Sequence, residues 1–575
     1  MMEPFERIDI QELPLSVPSF RRKVEDFLGS NGLRLGEVDL YMAVLDGDGA
    51  ILAGGGLRRD IIQCLAVSPA ARSMGLSVPL VSRLISVAAE RGFTDVKVFT
   101  KPENQALFES LGFKLLASAP KAILMENGRG LEDYCAYLRQ HRAAGVIVMN
   151  ANPFTLGHAY LAEQAARGGK LVIIPVKEEA SRFPYEERVM MMKGYFGRVV
   201  EVLEGSDYQI SAATFPTYFL KNLSDAAETQ MRLDIDLFGR HIAPALGATV
   251  RFVGSEPEDA LTARYNELMK EMLPAYGVQV VEIPRLIDQD VPVSASRVRE
   301  ALDRGSFREA AELMPDVAWR FLKAELATRS LRMEADLTPK PGLVDLDGSG
   351  AHADMDRTTL ERGIDALRPW FGRMASDVGD TSAEACERLR ELGVAAEEAM
   401  LRATGGVNTH RGAIFALELA LAAGVPEMLH EEEADERLLA KRIARLAAWM
   451  GGNPYSHGAR IRREYPVRGA LQMAREGYPE LFARWLPYYT SVKDTPFGLH
   501  RTLLLIMSEL DDTCVIHRAG YAHAQQVKAE AKDLLDAFSI GGLQEMNRRY
   551  AAERISPGGA ADMLALTIFI ESILH

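Results

Sequence analysis

The sequence predicts a multidomain protein in which two successive α/β regions are followed by an all-α region. The chain has 575 residues, enough for about three or four domains at roughly 100–200 residues each. Short apolar runs alternate with helical periodicity up to about residue 315, and strand signals nearly vanish beyond it. We therefore predict domains at 1–128, 129–315 and 316–575.

Composition excludes several classes of protein. Hydrophobic residues make up 47% and charged residues 25%, a balance that excludes a mostly disordered chain, a collagen and a coiled coil. The net charge of −14 argues against nucleic acid or an anionic membrane as the partner. The 4 cysteines form no CxxC pair, which favours a reducing cytoplasm. The N-terminus lacks an apolar core and no run reaches 18 apolar residues, so we expect neither a signal peptide nor a membrane span.

The first α/β region has glycine turns between apolar runs. Its predicted strands are 39–45, 50–57, 61–67 and 95–99, its predicted helix is 76–91, and a linking helix is predicted at 131–142.

The second α/β region begins with two uniformly apolar runs, 145–150 and 170–176, that flank a predicted helix at 157–167. This order predicts a parallel βαβ unit. Two more strands at 249–253 and 278–283 and a helix at 296–303 complete the prediction.

A candidate phosphate site follows the first of these strands. Asn152, Thr155, Gly157 and His158 lie where a strand passes through an Asn-Pro turn into a helix. Open α/β sheets bind ligands at this edge, and helix N-termini favour phosphate. A helix cap beside a surface histidine is the structural alternative. The Thr-x-Gly-His pattern has the form of the (H/T)xGH signature of the class I nucleotidyltransferase and synthetase superfamily.

A second motif strengthens this interpretation. Ser294 and Ser296 can cap a helix, and Arg299 can bind phosphate through two hydrogen bonds. An ordinary serine-capped helix is the alternative. The spacing resembles the S-x-S/T-x-x-R motif of the same superfamily. With the stretches 182–192, 210–221, 251–259 and 262–269, residues 1 to about 315 resemble the acetate:citrate lyase ligase family.

That resemblance implies a reaction and its partners. Acetate attacks the α-phosphate of ATP to give acetyl-AMP and pyrophosphate, and the acetyl group passes to the prosthetic-group thiol of the citrate lyase acyl carrier subunit. Thr155, His158 and Arg299 would stabilise the phosphates, while Ser294 and Ser296 would position the second motif. Mg²⁺ would assist the displacement.

The first region resembles a GNAT acetyltransferase domain. The resemblance rests on 64–67, on a loop containing Arg72 and Gly75, and on 104–113. It implies that the loop amides bind the pyrophosphate of CoA or of a phosphopantetheine arm, although Ser77 departs from the motif. A GNAT-shaped module without a ligand is the alternative, and buried Cys64 is interpreted as core.

Charged, glycine-containing islands interrupt the helices after residue 316. The islands are 338–345, 350–355, 406–412, 456–458, 509–513 and 556–562. A lysine, two carboxylates and a histidine within the first two suit a phosphate and Mg²⁺ site, and a solvated charged loop is the alternative. Together the islands resemble the triphosphoribosyl-dephospho-CoA synthase family over about 325–575.

In that family, the 2′-hydroxyl of 3′-dephospho-CoA attacks C1′ of the ATP ribose and adenine leaves. Such a glycosyl transfer needs a base for the hydroxyl, an acid for adenine and cations for the triphosphate. Candidate bases or Mg²⁺ ligands are Asp345, Asp354, Asp562, Glu509 and Asp512, of which we assign the last two to the metal. Candidate nucleotide contacts are Lys340, Gly342, Asn408, His410, Arg411 and Arg518, and His352 and His457 are further candidates.

The sequence thus predicts a bifunctional, ATP-dependent enzyme of citrate lyase maturation. Three alternatives stay open. The central region could adenylate phosphopantetheine or another phosphate acceptor, the chain could be a non-catalytic CoA- or nucleotide-sensing scaffold, or the helical half could serve malonate decarboxylase.

Overall fold

A computed structural model describes residues 8–178, 181–209, 223–256, 259–288, 291–376, 380–424, 436–451 and 457–574. The chain forms two compact units, Met1–Val293 and Ser294–His575. The predicted order, mixed α/β sheets followed by a helical region, is confirmed. No helix among these residues is long and apolar enough to cross a membrane.

The first unit begins with a seven-stranded sheet in the order β1-β2-β3-β4-β5-β7-β6. The strands are β1 (Gln11–Glu12), β2 (Leu40–Leu45), β3 (Ile51–Arg58), β4 (Ile61–Val67), β5 (Val96–Thr100), β6 (Lys114–Ala119) and β7 (Ala122–Asn127). The helices in this stretch are α1 (Pro18–Ser30), α2 (Ser77–Glu90), α3 (Gln105–Ser110) and α4 (Gly130–Leu138). Neighbouring strands are antiparallel except β4 and β5, whose parallel pairing covers only Ile61 and Ile62.

The same unit continues into a five-stranded parallel sheet in the order β10-β9-β8-β11-β12. The strands are β8 (Gly145–Met149), β9 (Leu171–Pro175), β10 (Glu201–Val202), β11 (Val250–Gly254) and β12 (Gln279–Ile283), followed by a separate hairpin of β13 (Ile287–Asp288) and β14 (Val291–Pro292). The helices are α5 (Leu156–Ala166), α6 (Tyr185–Phe196), α7 (Leu223–Leu237), α8 (Ala243–Leu246) and α9 (Ala260–Met272). The predicted parallel βαβ unit is confirmed as β8-α5-β9. The stretch 210–221 lies outside the described residues.

The second unit is helical throughout its described residues. Its helices are α10 (Ala295–Asp303), α11 (Phe307–Glu312), α12 (Trp319–Ala335), α13 (Arg357–Ser376), α14 (Ala383–Ala403), α15 (Arg411–Ala423), α16 (Glu436–Trp449), α17 (His457–Glu464), α18 (Ala470–Arg475), α19 (Leu486–Val492), α20 (Gly498–Glu509), α21 (Thr513–Ala519), α22 (Tyr521–Asp536), α23 (Ile540–Glu553) and α24 (Gly558–Leu574). Helices α12 and α24 are buried on nearly every side and pack against each other, as expected of central core helices. The short helices α10 and α11 pack with this unit.

Candidate functional site

The turn after β8 lies where the strand order of the parallel sheet reverses. The chain passes from β8 to β9 on one side and later returns to β11 on the other side of β8. In open α/β sheets, ligands bind outside the carboxyl ends of the strands at such a switch point. The turn between β8 and α5 therefore occupies the expected ligand edge of this sheet.

Thr155 and His158 form a reciprocal cap at the start of α5. The Thr155 hydroxyl oxygen accepts the backbone N–H of His158 at 3.4 Å, and the backbone N–H of Thr155 donates to Nδ1 of His158 at 3.1 Å. Because Nδ1 accepts, the proton of a neutral imidazole lies on Nε2. The cap therefore leaves Nε2 as the ring's donor at the positive end of a helix.

Gly157 is required by close packing. A Cβ on this residue would lie 2.6 Å from the carbonyl oxygen of Val293, well inside van der Waals contact. Any side chain here would displace the backbone that leads into residue 294. Asn152 is also fixed, since its side-chain oxygen accepts the backbone N–H of Phe183 at 3.1 Å.

The second predicted motif lies at the start of α10, in the helical unit. Ser294 caps the helix by accepting the backbone N–H of Arg297 at 3.3 Å. The Arg299 guanidinium donates to the exposed Ser296 hydroxyl at 2.9 Å. Of the two serines predicted to cap this helix, Ser294 does so. The phosphate contact of Arg299 stays a prediction.

The remaining candidates of the first unit lie on an exposed turn before α2. Gly75 has a φ of +67° and ends the short turn Pro69–Met74, and Arg72 is exposed on that turn. A left-handed backbone of this kind favours glycine. Burial raises the pKa of the Cys64 thiol to about 11, as expected for a cysteine that belongs to the core.

In the helical unit, the loop before α13 is held by Lys340 and Asp345. The buried Lys340 ammonium donates to the Glu334 carboxylate at 2.6 Å and to the Glu334 carbonyl oxygen at 3.0 Å. The Asp345 carboxylate accepts the backbone N–H groups of residues 340, 347 and 348 and the side-chain amide of Asn547. Gly342 has a φ of +68° and also donates to Asn547. These contacts shape the loop.

A second loop meets the residues that precede α24. His352 Nε2 lies 2.9 Å from the Ser556 hydroxyl, and the Arg518 guanidinium lies 3.3 Å from His352 Nδ1. Since Nδ1 faces a donor, Nε2 carries the proton and donates to Ser556. Burial and the Arg518 charge lower the pKa of His352. Asp354 is largely exposed, with its carboxylate 4.0 Å from the same ring.

The start of α15 carries another island. Asn408 accepts the backbone N–H of Arg411 at 3.1 Å, and the Arg411 side chain pairs with Glu397. His410 is 5% exposed, its Nδ1 lies 2.8 Å from the Thr409 hydroxyl, and its Nε2 has no hydrogen-bond partner among the described residues. Burial lowers the pKa of His410 to about 3, so the imidazole is neutral.

Two carboxyl groups lie where the starts of α15, α21 and α24 meet. Asp512 accepts backbone N–H groups from Cys514, Val515 and Ala560. Asp562 accepts the backbone N–H of Ala413 and rests directly on Gly412. Burial, followed by the charges of Asp512 and Glu334, raises the pKa of Asp562 well above the usual range.

The predicted metal candidates are engaged by other groups. Glu509 pairs with Arg484 at 2.6 Å and accepts the Trp485 indole N–H at 2.8 Å. Asp512 is surrounded by backbone donors, as described above. Within the described ranges, no cluster of three or more His, Cys, Asp or Glu side chains has the geometry to hold a metal ion.

Sequence analysis missed two residues that link the islands. Glu334 lies near the end of α12 and pairs with Lys340, while Asn547 lies on α23 and holds the loop through Gly342 and Asp345. Both belong to regular helices, where nothing in the local pattern marks them. The Ser456–Gly458 island cannot be compared, because Ser456 and the side chain of His457 lie outside the described residues.

Comparisons with known proteins match both parts of the chain. The family described as citrate lyase ligase C-terminal domain matches residues 144–322, and the family described as ATP:dephospho-CoA triphosphoribosyl transferase matches residues 322–575. A citrate (pro-3S)-lyase ligase from Escherichia coli (strain K12) is 40% identical over 315 residues, which are 52% of this chain and 90% of that protein. The corresponding ligase from Klebsiella pneumoniae is 40% identical over 316 residues, 52% of this chain and 92% of that protein.

A second set of relatives shows the other family. A protein from Stutzerimonas stutzeri (strain A1501), described as "Probable 2-(5''-triphosphoribosyl)-3'-dephosphocoenzyme-A synthase", is 40% identical over 280 residues, which are 46% of this chain and 94% of that protein. The chain belongs to the citrate (pro-3S)-lyase ligase family and also to the triphosphoribosyl-dephospho-CoA synthase family, the two being joined in one polypeptide.

Proposed function

We propose that this chain is a bifunctional enzyme of citrate lyase maturation that both builds and acetylates the prosthetic group of the acyl carrier subunit. One observation carries the proposal. The chain covers 90% of a citrate (pro-3S)-lyase ligase and 94% of a protein described as a probable triphosphoribosyl-dephospho-CoA synthase. A candidate phosphate-binding constellation is present in each unit, which supports two active sites.

The first reaction is the activation of acetate. The acetate carboxylate attacks the α-phosphorus of ATP, the bond to pyrophosphate breaks, and acetyl-AMP forms. Negative charge grows on the phosphate oxygens, so donors fixed in advance are the main catalytic device. His158 Nε2 and the start of α5 supply such donors, and by its motif we assign Arg299 a phosphate-binding role in this reaction.

The acetyl group then passes to the thiol of the carrier's prosthetic group, and AMP leaves. We propose that the seven-stranded sheet is a GNAT-like module that holds the phosphopantetheine arm at the Arg72–Gly75 turn. Two features support this proposal. The pairing between β4 and β5 is short, and Cys64 has a φ of +55° at an irregularity in the pairing of β3 with β4.

The second reaction joins 3′-dephospho-CoA to the ribose of ATP. The bond from C1′ to adenine breaks, the 2′-hydroxyl oxygen bonds to C1′, and the hydroxyl proton is finally carried off by adenine. We assign Asp562 as the proton donor to adenine, because burial raises the pKa of its carboxyl group and so favours the protonated form. Over one turnover it gives one proton to adenine and regains the one that the hydroxyl loses.

The other residues of this site would bind ATP. We propose that the start of α15 and Arg518 contact the triphosphate, and that His410 accepts a ribose hydroxyl because its imidazole is neutral. Lys340 and Asp345 shape the loop beside them. The sequence predicted Asp345 as a base or Mg²⁺ ligand. We assign it instead to shaping the loop, because its carboxylate already accepts hydrogen bonds from four donors.

Mg²⁺ commonly accompanies ATP, and one or two carboxylates usually suffice to hold it on the substrate phosphates. The contacts of Glu509 and Asp512 do not fit a site built from these two residues, since Glu509 is held by Arg484 and Asp512 by backbone N–H groups.

Product analysis tests the proposal. The full chain is incubated with ATP and, in turn, acetate, 4′-phosphopantetheine and 3′-dephospho-CoA, and the products are identified by mass. We expect pyrophosphate and acetyl-AMP with acetate, and adenine with dephospho-CoA. A dinucleotide product with phosphopantetheine alone would favour the adenylyltransferase alternative, and no turnover with any acceptor would favour a scaffold.

A further inference from the structure

The buried arginine of α6 contacts the loops at the ligand edge of the parallel sheet. Arg188 is 0% exposed, although burying a guanidinium is costly unless its donors are used. It donates from Nε to the Phe183 carbonyl at 3.0 Å, from Nη1 to the Val176 carbonyl at 3.0 Å, and from Nη2 to the Glu178 carbonyl at 3.2 Å. Nη1 also donates to the carbonyl and to the side-chain oxygen of Asn150.

These acceptors belong to three separate segments. Asn150 directly follows β8, Val176 and Glu178 directly follow β9, and Phe183 precedes α6. One guanidinium therefore ties together the carboxyl ends of two neighbouring parallel strands. Such ends form the ligand edge of an open α/β sheet.

The side chain of Asn150, the first residue after β8, is held by two partners. The Asn150 amide donates to the Glu178 carboxylate at 2.6 Å, while its oxygen accepts from Arg188 at 2.6 Å. Five residues later the same turn presents Thr155, and His158 follows in the first turn of α5. The position of the His158 donor thus depends on a turn whose first residue Arg188 holds.

The hydrogen bonds of Arg188 hold neutral groups in place and do not pair it with a charge. No carboxylate lies within ion-pair distance of its guanidinium in the part of the chain that the structure describes, and burial lowers its pKa. Its hydrogen-bond partners are neutral carbonyl and amide oxygens. The carboxylates of Glu178 and Glu186 favour its charged form without contacting it, and Glu178 is linked to it through Asn150.

We infer that Arg188 is a positioning residue of the ligase reaction, which sets the turn that presents Thr155 and His158 to the ATP phosphates. This inference rests on the proposed function. The planar guanidinium makes five hydrogen bonds to three segments, whereas a lysine has three donors at one point. Lysine keeps the charge and cannot hold all three segments.

A double-mutant cycle in the full chain tests the inference. Arg188→Lys, His158→Ala and the double variant are compared for acetate-dependent pyrophosphate release, with adenine release and the thermal midpoint measured on the same samples. We expect Arg188→Lys to lower kcat about 10²-fold, as for a misplacement of about 1 Å, while KM for ATP and adenine release change little. In the His158→Ala background, Arg188→Lys should lower kcat for pyrophosphate release by less than about threefold.

Several outcomes would overturn the inference. An equal loss in both backgrounds would mean that Arg188 does not act through His158, and a rise in KM for ATP alone would make it a direct ligand. If Arg188→Lys does not fold, Asn150→Ala replaces it in the same cycle with the same expected non-additivity. If the unmodified chain releases no pyrophosphate with acetate, the proposed function fails and the inference fails with it. An active chain with an additive cycle refutes the inference alone.

Discussion

Replacing Gly412 by alanine should damage the synthase reaction through the carboxyl group of Asp562. A Cβ on Gly412 would lie 1.9 Å from Oδ2 and 2.8 Å from Cγ of Asp562, whereas ordinary contact begins near 3.4 Å. Oδ2 must therefore move by about 1.5 Å, the difference between 3.4 and 1.9 Å, and the carboxyl group weakens its bond to the Ala413 N–H. A shift of this order costs between about 10-fold and 10²-fold in rate when it displaces a reacting group.

The stability of the variant should change much less than its rate. Overpacking costs about 1–3 kcal/mol, and alanine in a helix returns about 0.5–1 kcal/mol relative to glycine. Gly393→Ala is the matched control, because its Cβ would lie 2.1 Å from Oε2 of buried Glu418, a similar overlap with a carboxyl oxygen in the same unit. Adenine release and denaturant unfolding are measured for both variants. Equal rates for Gly412→Ala and the unmodified chain, or equal losses in both variants, would refute the role of Asp562.

Three further predictions concern single residues. His158→Ala should lower acetate-dependent pyrophosphate release about 10²–10³-fold by removing a transition-state donor, and adenine release in the same sample should stay intact. Asp562→Asn should lower kcat for adenine release about 10²–10⁴-fold, because an amide cannot give a proton; a change in KM for ATP alone would contradict this. Glu418→Gln should stabilise the protein increasingly as pH rises above about 4.5. Burial raises the pKa of Glu418, so the unfolded state loses its proton first and stability falls with pH, by at most about 1.4 kcal/mol per pH unit. Unfolding free energies from pH 4 to 8 check this, and a constant difference between the two proteins would refute it.

The elements that local patterns predicted lie near their observed bounds, while others such as β6, β7 and α6 were not predicted. The apolar run 145–150 became β8 because both faces of a parallel strand are buried, and the predicted helix 157–167 became α5. The helix Pro18–Ser30 was not predicted, although a proline at its first turn is a usual start signal. The exact strand order could not be predicted, since pairing depends on contacts distant in sequence.

The candidate sites were predictable only where their residues lie in loops. The Thr155–His158 cap could be inferred because a strand, a turn and a helix follow one another within a few residues. Arg188, Glu334 and Asn547 could not, since each lies on an ordinary helix and reaches its partners only after folding. Likewise, the raised pKa of Asp562 comes from burial and from Asp512, 50 residues earlier in the chain.

The most direct test of two activities in one chain is a single incubation of the full protein with ATP, acetate, the deacetylated acyl carrier subunit and 3′-dephospho-CoA, followed by mass analysis. We expect acetylated carrier, pyrophosphate, AMP, adenine and triphosphoribosyl-dephospho-CoA. His158→Ala should remove the acetylated carrier, acetyl-AMP and pyrophosphate and leave adenine. Asp562→Asn should remove adenine and triphosphoribosyl-dephospho-CoA and leave the acetylated carrier and pyrophosphate. Loss of both product sets in either folded variant, or the absence of one set from the unmodified chain, would contradict two separate catalytic sites.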